Sequence, residues 1–271
     1  MMIRMIRLCI LALAMVAAPA AAWGPIGHRV SAAIAERNIS GHTRARIAQI
    51  LDGKTLREAS TVPDEQRENP DPFWQRSVPW HRITLPRGAA LAHIEHPPQG
   101  DALVMLDQFV ATLRDPQASP IDQQRAMLFV VHLAADLHLP VHVGDEVYGG
   151  GAVPVLWFGQ RQNVHWLWDE GMIDLTQLSA PEYADLLSAR TTPAEVAAWW
   201  DHRPETWLSE SAALRDEVYA ELDVLVPAAG GEPLQLGWPY QYRWRPAMER
   251  RLQQSGIRMA AMLEWIFRQF N

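Results

Sequence analysis

The chain has 271 residues, is 48% hydrophobic, and carries 31 acidic against 24 basic residues, a formal net charge of −7. This length suffices for one large domain or two small ones with a sizeable core. The acidic balance excludes a protein that holds nucleic acid on a broad basic surface, because such proteins neutralise phosphates with lysine and arginine. A polyanionic ligand would need a local positive site, such as bound metal.

Residues 1–22 have the layout of a secretory signal peptide. Two arginines precede an apolar run at 8–16, and small residues fill 20–22, which matches an A-x-A cleavage site with Trp23 as the mature N-terminus. The alternative is a membrane anchor, but the apolar run is shorter than the roughly 20 residues that a transmembrane helix needs. Cys9 is the only cysteine and would leave with the signal, so the exported chain would carry neither a disulfide nor a thiolate nucleophile.

Most of the remaining chain has the apolar spacing of helices. Apolar residues recur every three or four positions, which predicts helices at 101–114, 123–139, 194–200, 210–225 and 245–270. A hydroxyl, a proline and an acid stand in order at 119–122 and again at 192–195, as they do where helices begin. Helices should therefore form the body of the fold.

One stretch has the alternation of a strand. Apolar residues alternate from Val153 to Phe158 between flanking glycines, which predicts a small β-hairpin. Proline clusters at 69–72, 97–98 and 227–239 predict loops, and no linker separates domains. The sequence therefore predicts an all-α fold, in which a single-domain helical bundle formed by 23–271 carries a small β-hairpin.

Candidate metal ligands are concentrated in one part of the chain. The motif His-x-x-x-Asp occurs twice, as "HLAAD" at 132–136 and "HWLWD" at 165–169. Four-residue spacing places both side chains of a pair on one helical face, so each pair could bind a metal with two adjacent ligands. Between the pairs, Pro140 should bend or end the helix, and His142 could then turn a third imidazole toward the same cleft.

A single pair of this kind is a weak signal, because histidine and aspartate one turn apart also form an ordinary hydrogen bond on a helix surface. Two pairs together with His142, all flanked by apolar residues, are a stronger one. Buried polar groups are costly unless they are paired or bind metal, so these five need a common partner. Imidazole and carboxylate ligands without thiolate favour catalytic zinc over structural zinc.

Several blocks of the sequence together resemble the zinc-dependent nucleases of the S1/P1 type, which are related in fold to bacterial zinc phospholipase C. The blocks are "WGPIGH", "HLAADLHLPVH", the glycine-rich hairpin, "NVHWLWD" and "QSGIRMAAML". They extend over nearly the whole mature chain. The resemblance implies three zinc ions in a cleft of an all-helical domain, with the N-terminal tryptophan as a ligand through its amine nitrogen and carbonyl oxygen.

Carried over position by position, the resemblance implies three sets of ligands. One zinc would be held by Asp64, His81, His132 and Asp136, its close neighbour by Trp23, His28 and the shared Asp136, and the third by His142, His165 and Asp169. It also implies two catalytic roles. Asp64 would orient or deprotonate the attacking water, and Arg67 would stabilise the negative charge that develops on phosphorus. Taken alone, Arg67 would be interpreted as a solvated surface arginine.

Residues around the ligands have weaker assignments. His138 is expected either to contact the metal ligands without binding a metal itself, or to have only a structural role. Asn163 and Asp145 are expected either to hydrogen-bond ligand imidazoles or to be turn residues. Fungal members carry an aromatic residue and an aspartate that hold the nucleobase just after the ligand equivalent to His81. Here Arg82 and Thr84 follow it, and they are expected to bind substrate.

The function expected from the resemblance is that of an exported bacterial monomer that hydrolyses phosphodiester bonds in single-stranded RNA and DNA. Its products would carry 5′-phosphates, with 3′-nucleotidase activity as a second reaction, and it would not insert into membranes after signal cleavage. Two alternatives remain open. One is a zinc-dependent phospholipase C, although such enzymes carry glutamate where Asp169 stands. The other is a non-catalytic zinc-binding export protein, against which open coordination positions for water would argue.

Overall fold

The structure is a computed structural model that describes residues 23–268, so the expected signal peptide at 1–22 lies outside the described residues. The fold is all-α, as predicted, with only small sheets. The helices are α1 Pro25–Asn38, α2 Gly41–Ile50, α3 Leu56–Ala59, α4 Val62–Glu65, α5 Pro72–Ser77, α6 Ala102–Arg114, α7 Pro120–Asp136, α8 Val164–Trp166, α9 Met172–Asp174, α10 Ala180–Arg190, α11 Pro193–Trp199, α12 Pro204–Ala228 and α13 Trp238–Ile266. Short 3₁₀ helices occupy Val78–His81, Leu91–His93 and Pro140–His142, and a π-helical turn occupies Leu167–Gly171.

The helix starts read from the sequence are confirmed. The Ser119 hydroxyl accepts a hydrogen bond from the Asp122 amide at the start of α7, with proline in the first turn. At the start of α11, Thr192 and Glu195 cap each other's amides reciprocally. These contacts satisfy amides that have no partner within the helix.

The predicted hairpin forms, and it has an additional strand. Strands β3 (Pro154–Trp157) and β4 (Gln160–Asn163) are antiparallel, while β5 (Leu234–Leu236) pairs with β3 in parallel. A separate two-stranded parallel sheet joins β1 (Ile83–Thr84) to β2 (Val143–Gly144). This second sheet places the segment after His81 directly beside the segment after His142.

The prediction of a loop at 227–239 is wrong in part. Helix α12 includes Pro227 in its last turn, β5 follows, and Pro239 lies in the first turn of α13, where a missing amide costs nothing. Proline fits the first turn of a helix, and Pro227 stands only one residue before the end of α12, so the proline cluster did not exclude regular structure here. Helix α7 also ends at Asp136, earlier than predicted, because the chain turns there before Pro140.

Helix α7 runs through the core, and its residues from Ala126 to Asp136 are all buried. Helices α1, α6 and α13 pack around it, and α1 also packs on α10. Gly256 allows α1 and α13 to approach closely, since a Cβ there would lie 2.5 Å from Cβ of Ile34. Within residues 23–268, no helix is long and apolar enough to cross a membrane.

Candidate metal centre

Histidines and aspartates from distant parts of the chain meet at the C-terminal end of α7. They are buried, except that the Asp64 side chain is 20% exposed. The residues are His28 on α1, Asp64 on α4, His81 at the end of a 3₁₀ helix, His132 and Asp136 on α7, His142 on the next 3₁₀ helix, His165 on α8 and Asp169 on the π-helical turn.

These residues form three groups that could each hold a metal ion. In each group, one ligand atom per residue lies within 4.8 Å of the others. The groups are Asp64, His81 and His132; His28, His132 and Asp136; and His142, His165 and Asp169. The structure thus brings together every side-chain ligand expected from the sequence, and it places them in the expected neighbourhoods.

Asp136 lies at the centre of this arrangement. Its Oδ1 is 3.4 Å from Nε2 of His28 and 3.7 Å from Nδ1 of His142. Its Oδ2 is 3.3 Å from Nδ1 of His81 and 3.3 Å from Nε2 of His132. The two oxygens therefore face different histidine pairs, as expected of a bridging carboxylate.

The third group uses the second His-x-x-x-Asp motif. Nε2 of His165 is 3.1 Å from Oδ2 of Asp169, and Nε2 of His142 is 3.9 Å from Oδ1 of Asp169. The two imidazole rings are stacked with their centroids 5.1 Å apart. The motif begins on α8 and ends in the π-helical turn, and the side chains of His165 and Asp169 lie close together, as the four-residue spacing predicts.

Two of the imidazoles are oriented by main-chain oxygens. Nδ1 of His132 donates to the carbonyl oxygen of Ser60 across 2.7 Å, and Nδ1 of His165 donates to the carbonyl oxygen of Gly150. A carbonyl oxygen can only accept, so the hydrogen is on Nδ1 and Nε2 is left as the ligand atom. Such contacts commonly fix the rings of metal-binding histidines.

The centre has the properties of a cation site. Within residues 23–268, both ring nitrogens of His28 and both carboxylate oxygens of Asp136 are buried without a hydrogen bond. Polar groups left in this state cost about 1–3 kcal/mol each. A bound cation would satisfy them, and nitrogen and oxygen donors without sulfur suit a catalytic transition metal such as zinc.

Burial and charge set the protonation of these groups. Burial lowers the pKa of His28 well below its usual value and also lowers that of His81. Both imidazoles are therefore neutral at pH 7, the form in which a ring nitrogen can bind a metal ion. Burial alone would lower the pKa of His132, but Asp136 and Asp64 outweigh it and raise the pKa to about 9. Burial raises the pKa of Asp169 to about 7. Without an added cation, the cluster therefore relies on a proton at His132 to balance its carboxylates.

Trp23 lies against this centre, and its side chain is fully buried. Its indole Nε1 donates to the carbonyl oxygen of Ala135 across 3.0 Å, one residue before Asp136. The next amide, of Gly24, donates to the carbonyl oxygen of Asp169 across 3.0 Å. The segment that begins at Trp23 is thus fixed between two ligand-bearing segments.

Side chains that the sequence reasoning missed hold the turn after Asp136. The Ser211 hydroxyl donates to the carbonyl oxygen of Leu137 across 2.6 Å, and Nε of Arg251 donates to that of His138 across 3.0 Å. Helix ends leave such carbonyls without partners. Their donors come from α12 and α13, more than 70 residues away, so no local pattern could have identified them.

His138 belongs to this support and faces away from the ligands. Its Nδ1 donates to the carbonyl oxygen of Ala134 across 2.7 Å, and its ring packs on Trp207. Burial, with Arg251 and Arg258 nearby, lowers its pKa well below the usual value, so the ring is neutral. Of the two roles considered for His138, the structural one therefore applies.

Asn163 and Asp145 each accept hydrogen bonds from main-chain amides, as expected of turn residues, the second of the two roles considered. Asn163 Oδ1 accepts from the Trp166 amide across 2.8 Å and caps α8, the helix of His165. Asp145 accepts from the Tyr148 amide and from Nε of Arg87, each across 2.6 Å. Both are turn residues that shape the segments around the third group.

The expected catalytic and substrate residues lie at the open side of the centre. Nη2 of Arg67 is 2.6 Å from Oδ1 of Asp64, and the Arg67 side chain is only 16% exposed, unlike a solvated surface arginine. Arg82 and Thr84 face outward at β1, next to His81, while Ile83 between them is buried.

A helical fold that gathers buried imidazoles and carboxylates around one shared aspartate defines a class of metal-dependent hydrolases. The profile of the S1/P1 nuclease family matches residues 23–268, and the chain belongs to that family.

Individual relatives agree with this assignment. Endonuclease 4 of Arabidopsis thaliana is 26% identical over 271 residues, covering 90% of this chain and 89% of the relative. Nuclease S1 of Aspergillus oryzae is 24% identical over 277 residues, covering 90% of this chain and 91% of the relative. Endonuclease 2 of Arabidopsis thaliana is 30% identical over a shorter stretch, 52% of this chain and 51% of the relative. The protein is accordingly an endonuclease of a metal-dependent family, with nucleic acids as substrates.

Proposed function

We propose that the protein is an exported, zinc-dependent endonuclease that cleaves single-stranded RNA and DNA and leaves 5′-phosphate ends. The observation that supports this most is the meeting of three buried ligand groups at Asp136 in a chain of the S1/P1 nuclease family. An acidic chain can bind a polyanion at such a centre, because the metal ions supply the positive charge that its surface lacks.

The proposed ligand sets follow the three groups. One zinc would be held by Asp64, His81, His132 and Asp136, the second by His28, Asp136 and the main-chain atoms of Trp23, and the third by His142, His165 and Asp169. When bound, such ions lower the pKa of water toward 7 and polarise phosphate oxygens. No protein nucleophile is required.

The chain's own residues act at the open side of this centre. Asp64 is the partly exposed carboxylate, so it is placed to accept the proton of the attacking water. Arg67 holds Asp64 through Nη2 and has a delocalised charge suited to the developing negative charge on phosphorus. We assign the departing 3′ oxygen to the group of His142, His165 and Asp169, where a bound cation would stabilise its developing charge.

Export and maturation would complete the site. Residues 1–22 would direct the chain to the periplasm or out of a bacterial cell, and cleavage before Trp23 would leave a free amine beside Asp136. The position of Trp23 between Ala135 and Asp169 supports this role. The mature enzyme, 23–271, would act as a monomer, with 3′-nucleotidase activity as a second reaction.

Single strands are the proposed substrate because the buried centre must reach the backbone of an unstacked nucleotide. The test combines metal analysis of the mature protein with digestion of matched single-stranded and duplex DNA and RNA, followed by analysis of the product ends. Three zinc ions, faster cleavage of single strands and 5′-phosphates are expected. A strict need for duplex, or 3′-phosphate ends, would overturn the proposal.

The same preparation separates the two alternatives. Hydrolysis of phosphatidylcholine vesicles in preference to DNA would identify a phospholipase C. Bound zinc without turnover of any phosphodiester would identify a zinc-binding export protein.

A further inference from the structure

Arg82 lies where two of the ligand groups come together. It follows His81 directly, and the next residue, Ile83, pairs with Val143, which follows His142. Ile83 is buried, so alternation along the strand turns Arg82 and Thr84 toward solvent on one face. The backbone thus presents an arginine between the first and third ligand groups, at the open side of the centre.

The side chain of Arg82 extends over the third group. A Cβ at Gly150 would lie 3.8 Å from Cδ of Arg82 and 3.5 Å from Nδ1 of His165. The Gly150 carbonyl is the oxygen that orients His165. Arg82 is therefore a neighbour of the third group, whereas Arg67 is paired with Asp64 in the first group.

The charge of Arg82 is left without a close partner. In the described part of the chain, no carboxylate forms an ion pair with its guanidinium, whereas Arg67 has Asp64 at 2.6 Å. An anion beside Arg82 would supply the charged partner that its guanidinium lacks in this part of the chain.

We propose that Arg82 binds a second phosphate of the substrate, the one on the 5′ side of the scissile phosphate. This inference rests on the proposed nuclease function. Arg82 stands beside the third group, to which the proposed function assigns the departing 3′ oxygen, and the nucleotide that carries this oxygen has its own phosphate on its 5′ side. A guanidinium suits such a ligand, because it presents paired donors to two phosphate oxygens.

The substrate class follows from this assignment. The preferred minimal substrate is a dinucleotide with a 5′-phosphate, or an internal site of a longer strand, rather than a dinucleoside monophosphate. A phosphate contact carries no information about the base. The enzyme should therefore discriminate weakly among bases on the 5′ side of the cleaved bond.

The test compares two substrates that differ by one phosphate, dTpdT and pdTpdT. For the wild-type enzyme, kcat/KM should be about 10-fold higher with pdTpdT, the range expected for one charge-assisted contact. Arg82→Ala should bring this ratio close to 1. Arg82→Lys should retain part of the preference for pdTpdT, because lysine keeps the positive charge but lacks the paired N–H donors of the guanidinium. Arg76→Ala, which removes another exposed arginine, on α5, is the matched control and should keep the wild-type ratio.

A binding measurement makes the result independent of turnover. Calorimetry with 5′-phosphorylated dithymidine joined by an uncleavable methylphosphonate should show weaker binding to Arg82→Ala, at equal zinc content. The slope of log affinity against log salt should fall by about one for this variant.

Two outcomes would overturn the inference. Equal losses of kcat/KM on both substrates would place Arg82 at the scissile phosphate, together with Arg67. A wild-type ratio near 1 would mean that no second phosphate is bound. If the zinc-loaded enzyme cleaved neither substrate, the proposed function would fail, while the binding comparison would still decide the role of Arg82.

Discussion

The indole of Trp23 donates a hydrogen bond to the carbonyl oxygen of Ala135, the residue that precedes the bridging carboxylate of Asp136. The Ala135 oxygen also accepts from the His138 amide, so the indole adds a side-chain donor to a main-chain one. The first described residue is thereby connected to the end of α7 at the point where the ligand groups meet.

An added glycine before Trp23 should remove about one zinc ion and most of the activity. The extension turns the amine into an amide, which is a poor ligand, and adds bulk beside Asp136. The measurement is zinc content and turnover of single-stranded DNA, compared with protein that has an authentic Trp23 terminus.

Trp23→Phe, with the authentic terminus, is the companion variant. It keeps the amine but loses part of the buried side-chain volume and the indole donor, so its loss of activity should come mainly from packing. It should retain its zinc and part of its activity. Equal zinc content and rates in the extended and authentic proteins would remove Trp23 from the metal centre.

Asp136→Asn should reduce the zinc content more than any other single ligand change. Asp136 faces His28 and His142 with one oxygen and His81 and His132 with the other, so its carboxylate contacts ligands of all three groups. Activity should fall by at least about 100-fold, because two ions would lose a shared ligand. Asp185→Asn, at an exposed aspartate on α10 that pairs with Arg37, is the control. An Asp136→Asn enzyme with three zinc ions and a normal rate would disprove the bridging role.

Glu210→Gln should destabilise the fold without removing a metal ligand. Glu210 pairs with both Arg251 and Arg258, which are buried, and Arg251 supports the turn after Asp136. We expect the free energy of unfolding to fall by about 2 kcal/mol, less than for a fully buried ion pair, because the Glu210 side chain is 39% exposed. Urea unfolding at pH 7 measures this difference in stability.

The effect of Glu210 should depend on pH. Burial alone would raise the pKa of Glu210, but Arg258 and Arg251 outweigh it and lower the pKa below the usual 4.5. Its contribution is therefore complete above about pH 4.5 and is lost as the pH falls through the lowered value. A difference between wild type and Glu210→Gln that stayed constant at lower pH would contradict this account.

Gly256→Ala should lower the stability although alanine favours helices. The new methyl group would lie 2.5 Å from Cβ of Ile34 and 2.7 Å from the carbonyl oxygen of Ser31. Overpacking of this kind costs about 1–3 kcal/mol, more than the roughly 1 kcal/mol gained in helix propensity. Thermal unfolding should show a lower Tm. Gly41→Ala, where nothing lies within 4 Å, should show no decrease, and an equal effect at both sites would reject the packing explanation.

The sequence predicted the ligand groups because their chemistry is local. The pairs His132 with Asp136 and His165 with Asp169 are one helical turn apart, so spacing alone brings each pair together. The capping signals at Ser119 and Thr192 were reliable for the same reason. His28, Asp64 and His81 required the family resemblance, since each comes from a different element.

What the sequence could not predict depends on long-range contacts. Ser211 and Arg251 have no local signature, and their roles arise only because α12 and α13 pack against the turn after Asp136. The parallel pairing of β5 with β3 joins segments about 80 residues apart. The proline cluster at 227–239 was misleading because proline fits the first turn of a helix, as at Pro239, as well as loops.

The carbonyl oxygens of Ser60 and Gly150 orient His132 and His165, and this has a consequence for how the chain tolerates change. A main-chain acceptor does not depend on the side chain of its own residue, so a substitution that fits the buried position 60 would leave the His132 ring in place. An inserted or deleted residue in the adjoining segment would move the oxygen and release the ring. In a library of variants around Ser60, we therefore expect substitutions to be accepted far more often than single-residue changes in length.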